Sequence, residues 1–319
     1  MTATEYILKE LQKIKEFQLR EVNKEKLNEE IFHLLMSKKF RKYSAKEALQ
    51  ERIKNAIKNS TDNNDPLRIV FPFGAYKLWR LDESPNPDWA ELFADMYYIK
   101  WLKPICEIYK PGIIFEYLVD DYILPFIDNI PLETVKNYID ENKKILSFLE
   151  KYQPNNLKFK ITEFKDTYGS QEKFEKELQE SIKQLSSTNP VFTKEDLKTT
   201  ELNSHPTEEQ LKDPKWRENI LLIHDAYMII KSRGGYTSNL EKIPVFCQPL
   251  TSGNYLIVGT TKTSIVKFWV GIGALKKRNE EFIEYILSPI QLETQKTTKE
   301  KISIKGLDSK NFSEIRVFE

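Results

Sequence analysis

The stretch from Pro66 to Asp121 constrains the fold more than any other part of this 319-residue chain. Residues 67–71 are mostly β-branched or apolar and lie between two prolines, a pattern typical of a buried strand. Asp88 with Glu91 three positions later has capping-box spacing and predicts a helix that ends at a Pro-Gly pair. Residues 112–119 are predicted to form the next strand. This order predicts a βαβ unit, in which ligands collect beyond the carboxyl ends of the strands.

The segments after this unit continue the alternation of helix and strand. A long amphipathic helix after Pro131 and a strand at 157–162 are predicted next. We therefore expect the α/β class, with a mainly parallel Rossmann-like sheet, flanking helices and a helical N-terminal extension. The expected domains are a helical extension at 1–61, an α/β core at 62–292 and a polar tail at 293–319 with an edge strand.

The C-terminal third predicts a group of strands joined by turns that contain glycine. These strands are expected to be antiparallel, at Ile243–Pro249, Tyr255–Thr260 and Ile265–Ile272. A short helix is predicted at Asn279–Leu287. The residues from Ser60 to Asp65 are all polar and predict a loop.

Composition excludes several classes of function. The 49 basic and 48 acidic residues leave a net charge of +1, so no overall field favours nucleic acid or an anionic membrane. Apolar runs are short and the N-terminus is charged, so we expect a cytoplasmic protein without membrane contact. Cys106 and Cys247 lie far apart in apolar surroundings and are expected to be buried free thiols. No metal-ligand spacing or cofactor fingerprint is present, so neither a metal nor a cofactor is expected.

The loop after the first strand carries candidate anion-binding residues. Lys77 and Arg80 lie three residues apart beside Tyr76, and such a pair suits a phosphate or carboxylate. The alternative is that their stems pack on the neighbouring aromatic rings while the charged ends meet solvent.

The second strand carries acidic candidates. Asp120 and Asp121 follow it and suit a general base, a partner for a sugar hydroxyl or part of a metal site, although a metal needs more oxygen ligands. The alternative is that one of them caps the turn at 122–126. Glu116 within the strand is a substrate-binding candidate, or it faces the exposed side of the sheet.

Two further candidates lie on the predicted helix that begins at Lys215. His224 falls on its apolar side, where a buried core histidine is more frequent than a catalytic one. Arg233 with Gly234-Gly235 suits an anion-binding corner, but a cation at a helix C-terminus needs no ligand to explain it.

Several short motifs resemble those of the isocyanide (isonitrile) synthase family. They are Phe71-Pro72 leading to Lys77, Ser84-Pro85-Asn86, Pro87-Asp88 with Glu91, Tyr109 to Gly112, and Val119-Asp120-Asp121. The similarity covers roughly residues 66 to 165. It departs from the family pattern in the six residues between Lys77 and Ser84, in Asp121 where a glycine is expected, and in the absence of the C-terminal basic and histidine motif.

The resemblance implies an enzyme that converts the α-amine of an amino acid to an isonitrile, with a pentose phosphate such as ribulose 5-phosphate as carbon donor. It implies catalytic roles for Lys77, Asp120 and Asp121, with Lys77 as an amine nucleophile that requires a lowered pKa. Small molecules are the expected partners. The alternative is a non-catalytic α/β protein that binds a ligand or a protein partner through its helical N-terminus.

Overall fold

The structure is a computed structural model that describes residues 1–77, 85–127, 129–197, 206–233, 241–249, 253–279 and 281–319. The chain divides into two compact units. The first comprises Met1–Tyr117, Asn137–Ile161 and Leu240–Glu319, and the second comprises Leu118–Lys136 and Thr162–Asn239.

The main sheet contains five parallel strands in the order β3-β2-β1-β4-β5. Its strands are β1 (Leu67–Phe73), β2 (Ile113–Val119), β3 (Leu157–Glu163), β4 (Lys242–Phe246) and β5 (Leu256–Ile257). The register places Ile69 opposite Ile243 and Val245 opposite Leu256. The predicted α/β class with a parallel sheet is therefore confirmed. As predicted, β1 and β2 are neighbours in the sheet, and the helix between them begins after Asp88.

That helix, α4 (Trp89–Ile108), begins with the predicted capping box. The Asp88 carboxylate accepts the Ala90 N–H, and Glu91 reaches back to the Asp88 N–H at 2.7 Å. Buried residues occur on all its faces because the helix is enclosed by its neighbours. Gly112, with φ of 75°, follows its end, and a side chain there would collide with the Asn156 carbonyl.

Aromatic rings dominate the core between β1 and its neighbours. Phe71 is fully buried, and its ring centroid lies 5.6–6.1 Å from those of six other aromatic residues, namely Tyr98, Phe115, Tyr117, Phe246, Phe268 and Trp269. Burial of large rings is a major source of stability in a core of this kind.

The N-terminal part is helical, as predicted, with α1 (Ala3–Lys15), α2 (Leu27–Leu35) and α3 (Glu47–Asn63). Both α1 and α2 pack against α4. The predicted loop at 60–65 is wrong, because α3 continues to Asn63 and ends at Asn64 in the left-handed conformation. Across the described ranges, every helix is too short or too polar to cross a membrane.

The remaining described helices are distributed between the two units. They are α5 (Leu124–Ile127), α6 (Leu132–Leu149), α7 (Phe164–Tyr168), α8 (Gln171–Ser186), α9 (Glu208–Lys212), α10 (Trp216–Arg233) and α11 (Pro289–Thr294). Cys106 and Cys247 are both buried free thiols, as expected.

A second sheet occupies the C-terminal part, in the order β7-β6-β9-β8. Its strands are β6 (Ile272–Arg278), β7 (Glu281–Leu287), β8 (Thr298–Lys301) and β9 (Glu314–Phe318). The β6–β7 and β8–β9 pairs are antiparallel, whereas β6 and β9 are parallel. The last strand, expected at an edge, is an inner strand.

Three of the C-terminal predictions are wrong in detail. The segments at 243–249 and 255–260 supply β4 and β5, which are parallel members of the main sheet. Residues 265–271 form turns, and the predicted helix at 279–287 is largely strand β7. Short apolar runs are compatible with helix or strand, and only their neighbours select the pairing direction.

Replacing Gly273 with alanine is expected to lower the free energy of unfolding by about 1–3 kcal/mol. A Cβ atom there would lie 2.3 Å from both the Ala90 nitrogen and the Trp89 carbonyl carbon, so β6 or the first turn of α4 would have to move. Urea unfolding measures the change, with the exposed-site variant Ser303→Ala as control. Equal stability of the Gly273 variant and the wild type would contradict this close approach.

Candidate functional site

Lys77, which follows β1 in the first unit, is fully buried. Its ammonium lies 2.8 Å from Asp88 Oδ1 and 2.8 Å from Glu91 Oε2, and it donates to the Gly271 carbonyl at 3.0 Å. The Tyr138 hydroxyl donates to the other oxygen of Glu91 at 2.5 Å. We call these four side chains, Lys77, Asp88, Glu91 and Tyr138, the Lys77 network.

The Lys77 network fixes the start of α4. Its lysine contacts both carboxylates of the capping box, so one buried cation faces two buried acids. Burial raises the pKa of Glu91 although Lys77 and Tyr138 act against that shift. The interpretation that the Lys77 ammonium meets solvent is wrong, since the side chain is 0% exposed. Such complete pairing is what a structural ion network requires.

A second buried acid, Asp95, lies on the same helix. The Tyr117 hydroxyl donates to its Oδ1, and within the described part of the chain Oδ2 has no hydrogen-bond partner. Burial raises the pKa of Asp95 to about 8, and the charge of nearby Glu91 adds to this shift. Asp95 is therefore mostly protonated at neutral pH. No sequence motif marked it, because a single acid within a helix has no characteristic spacing to another chemical group.

In the second unit, Asp120 follows β2 and is bound by two side chains from α10. The Tyr227 hydroxyl donates to Asp120 Oδ1 at 2.6 Å, and the Lys231 ammonium lies 2.8 Å from each carboxylate oxygen. The Asp120 side chain is 29% exposed and that of Lys231 is 8% exposed. We call these three residues the Asp120 cluster. It combines a solvent-reachable carboxylate with a hydroxyl and an ammonium, which are the groups that acid–base catalysis uses.

Asp121 is buried and differs from its neighbour in its contacts. Its Oδ1 accepts the backbone N–H of Lys165 at 3.2 Å, near the start of α7. It therefore binds the first turn of α7, and the interpretation that it caps the turn at 122–126 is not supported by its contacts. Burial raises the pKa of Asp121 to about 6, with a contribution from the charge of Glu163.

Glu116 does not face solvent, so the alternative that it lies on the exposed side of the sheet is wrong. It is 5% exposed, and its carboxylate lies 3.0 Å from the Lys242 ammonium and 3.6 Å from that of Lys160. These ion pairs link β2 to residues of β4 and β3. Its proposed role in substrate binding stays a prediction.

The remaining residues predicted from the sequence as substrate-binding lie in different environments. His224 is exposed, with 51% of its side chain accessible, so the core-histidine interpretation is wrong. Tyr76 is partly buried. Arg80 lies outside the described residues, and for Arg233 only the backbone, at the end of α10, is described. Lys77 belongs to the first unit, whereas Asp120 and Asp121 belong to the second.

Sequence reasoning missed Lys231, which lies four residues after Tyr227. That spacing places the tyrosine hydroxyl and the lysine ammonium on one face of the helix, and it is the sequence signal that could have identified Lys231 as a candidate. Its partner Asp120 is 111 residues away in the chain, so no local pattern connects them. In the described ranges, no group of three or more His, Cys, Asp or Glu side chains is arranged to hold a metal ion.

Comparisons with known proteins indicate the fold. No protein-family model matches the chain. No curated protein is significantly similar in sequence. Among solved structures, the PvcA protein from Pseudomonas aeruginosa is similar with a TM-score of 0.60 and 13% identity, over 92% of this chain and 99% of that one. Tyrosyl-tRNA synthetase from Archaeoglobus fulgidus matches with a TM-score of 0.34 and 12% identity, over 84% of this chain and 89% of that one, which is too weak to indicate a shared fold.

Proposed function

We propose that this protein is an isocyanide synthase-like enzyme that converts the amine of an amino acid to an isonitrile with a pentose phosphate as carbon donor. The observation that carries the proposal is the Asp120 cluster, which follows a parallel strand where ligands of α/β folds bind. The fold shared with PvcA along 92% of the chain supports this class of enzyme. The hypothesis about the reaction and its substrates comes from the sequence motifs between residues 66 and 165.

The Asp120 cluster has the groups that the first step needs. Condensation of an amine with a ketone forms a C=N bond, releases water and requires protons to leave the nitrogen and reach the departing oxygen. In this proposal the Asp120 carboxylate accepts the proton from nitrogen, and the Tyr227 hydroxyl or the Lys231 ammonium donates one to oxygen. Both donors lie within 2.8 Å of Asp120, so its carboxylate keeps them in position.

Other residues have different roles in this proposal. Lys77 as the amine nucleophile stays a prediction, and it requires the ammonium to leave two carboxylates and lose a proton. The contacts favour a role for Lys77 in holding the start of α4. Lys231 is the more accessible amine, since its side chain is 8% exposed whereas that of Lys77 is 0% exposed. Asp121, whose pKa is raised to about 6, is a second candidate proton acceptor.

Asp120→Asn is expected to reduce turnover about 100-fold while substrate binding changes much less, because proton transfer is expressed in the transition state. The amide oxygen can still accept from Tyr227, so the fold should be kept. The assay incubates the protein with tyrosine or tryptophan and ribulose 5-phosphate and detects the product by mass and by its isonitrile stretch. Asp225→Asn is the matched control, because it lies on α10 near Tyr227 and its side chain is 53% exposed.

Three outcomes count against the proposal. Absence of product from any proteinogenic amino acid, with folded protein and intact ribulose 5-phosphate, would remove the activity and leave the fold unchanged. Equal turnover by Asp120→Asn and the wild type would remove the Asp120 cluster from the mechanism. Binding of the amino acid or sugar phosphate without turnover would favour the non-catalytic alternative.

A further inference from the structure

A cavity of about 360 Å³ lies in the first unit, beside the start of α4 and the second sheet. We call it the α4-start cavity. Six of the residues that line it carry the argument, namely Asp88, Trp89, Lys299, Lys310, Glu314 and Arg316. None of the residues predicted from the sequence as catalytic or substrate-binding lines it.

The walls of the α4-start cavity are held together by contacts between distant parts of the chain. The Trp89 indole N–H donates to the Glu314 carbonyl at 2.8 Å, and its ring lies edge-on to Phe312 with centroids 5.0 Å apart. The Asn311 amide donates to the carbonyls of Asn86 and Pro87 at 3.1 and 3.0 Å. These bonds join the first residue of α4 to β9, and the residues before α4 to the turn that precedes β9, so the cavity is a preformed concave site.

The charges around the cavity favour an anion. Lys299, Lys310 and Arg316 contribute three positive charges, and Glu314 and Asp88 contribute two negative charges, which leaves +1. Lys299 lies 3.5 Å from Glu314, and both side chains are about half exposed, which makes that pair weak. The buried Asp88 carboxylate lies 2.8 Å from the Lys77 ammonium, which it shares with Glu91. Asp88 also caps the N-terminus of α4, so a carboxylate already occupies the positive end of that helix. The preference of the cavity for an anion therefore depends on the side-chain cations.

Lys310 is the cation best placed to receive a ligand. Its side chain is exposed at the cavity, and among the described residues its ammonium has no ion-pair or hydrogen-bond partner. Arg316 is half-buried and donates to the Thr297 hydroxyl at 3.5 Å, at the limit of a hydrogen bond. A guanidinium has five N–H donors, so Arg316 can bind an oxyanion while it keeps its contacts within the protein.

We propose that the α4-start cavity binds a small dianion, a phosphate monoester or a dicarboxylate. The excess of positive side chains around the cavity favours such a ligand, and the cavity volume accommodates a molecule of a few carbon atoms. Lys310 and Arg316 bind the charged group, Lys299 exchanges Glu314 for the ligand, and Trp89 forms the apolar wall. This proposal does not depend on the isonitrile-forming activity.

Calorimetry at low ionic strength tests the proposal with inorganic phosphate, glycerol 3-phosphate, succinate and uncharged glycerol as probes. The wild type should bind at least one dianion and should not bind glycerol, and the tighter dianion identifies the ligand chemistry. Lys310→Gln should weaken that binding about 10-fold, the loss typical of one charge-assisted contact. The double variant Lys299→Gln with Lys310→Gln should weaken it further.

The matched control is Lys296→Gln with Lys305→Gln, which removes two exposed charges from residues that do not line the cavity. It should retain binding within about 2-fold, because screened surface charges contribute little. Absence of binding by every dianion at millimolar concentration would overturn the proposal. Equal weakening in the control and in the Lys299/Lys310 variant would also overturn it, since the effect would then come from overall charge.

Discussion

Replacing Lys77 with methionine is expected to lower the free energy of unfolding by about 3–5 kcal/mol, because breaking a buried ion network leaves uncompensated charge in the core. Methionine has a similar length and no charge, so the change removes the cation with little loss of volume. Asp88 and Glu91, 3% and 0% exposed, would then be buried acids without their shared partner. Both also cap α4, so the first turn of that helix should loosen first.

The cost of Lys77→Met should increase with pH. Burial already raises the pKa of Glu91, and loss of the cation raises it further. A carboxyl group whose folded-state pKa exceeds its unfolded value favours folding at low pH, and that stability is lost as pH rises towards the folded value. The destabilisation should therefore be smaller at pH 5 than at pH 8. Urea unfolding at both pH values measures it.

Two further variants separate the charge effect from general damage. Lys110→Met changes an exposed lysine and is expected to alter stability by no more than about 0.5 kcal/mol. Lys77→Met combined with Glu91→Gln should recover part of the loss, since one of the two unpaired carboxylates is removed. A loss of less than about 1 kcal/mol in Lys77→Met would contradict the buried network.

Asp95 should make the wild type less stable as pH rises, by about 1.4 kcal/mol per pH unit. Its pKa is about 8 in the folded chain, against 3.8 as the ordinary value, because its carboxyl group is buried. Between these values the folded state keeps a proton that the unfolded state releases. The contribution of Asp95 is thus present below pH 4 and is lost as the pH approaches 8.

The variant Asp95→Asn removes this proton and therefore this slope. The difference in free energy of unfolding between the variant and the wild type should shift in favour of the variant by about 3 kcal/mol between pH 5 and pH 7.5. The cost of placing an amide beside Tyr117 does not depend on pH, so it does not affect this shift. Guanidinium unfolding across that range is the measurement. The control Asp140→Asn changes a side chain that is 51% exposed, and its unfolding free energy should depend on pH in the same way as that of the wild type. If the unfolding free energy of Asp95→Asn depends on pH in the same way as that of the wild type, the buried acid is ionised and the expectation is contradicted.

Local sequence determined the elements that depend on local physics. The cap of α4 was predictable because Asp88 and Glu91 contact backbone groups within three residues. Strands β1 and β2 were predictable because both are short apolar runs between breaking residues, and their parallel pairing followed from the helix between them. The acidic pair after β2 was found for the same reason, since a strand end can be located from the pattern.

Tertiary structure alone decided which charges are paired. Lys77 has the sequence context of a loop cation, yet one of its acceptors, the Gly271 carbonyl, is 194 residues away in the chain. Asp120 meets Tyr227 and Lys231 across 107 and 111 residues. It also decided that β4 and β5 join the parallel sheet. The physical reason is that desolvation and ion pairing depend on the whole set of neighbours in space, whereas a sequence window contains only the neighbours along the chain.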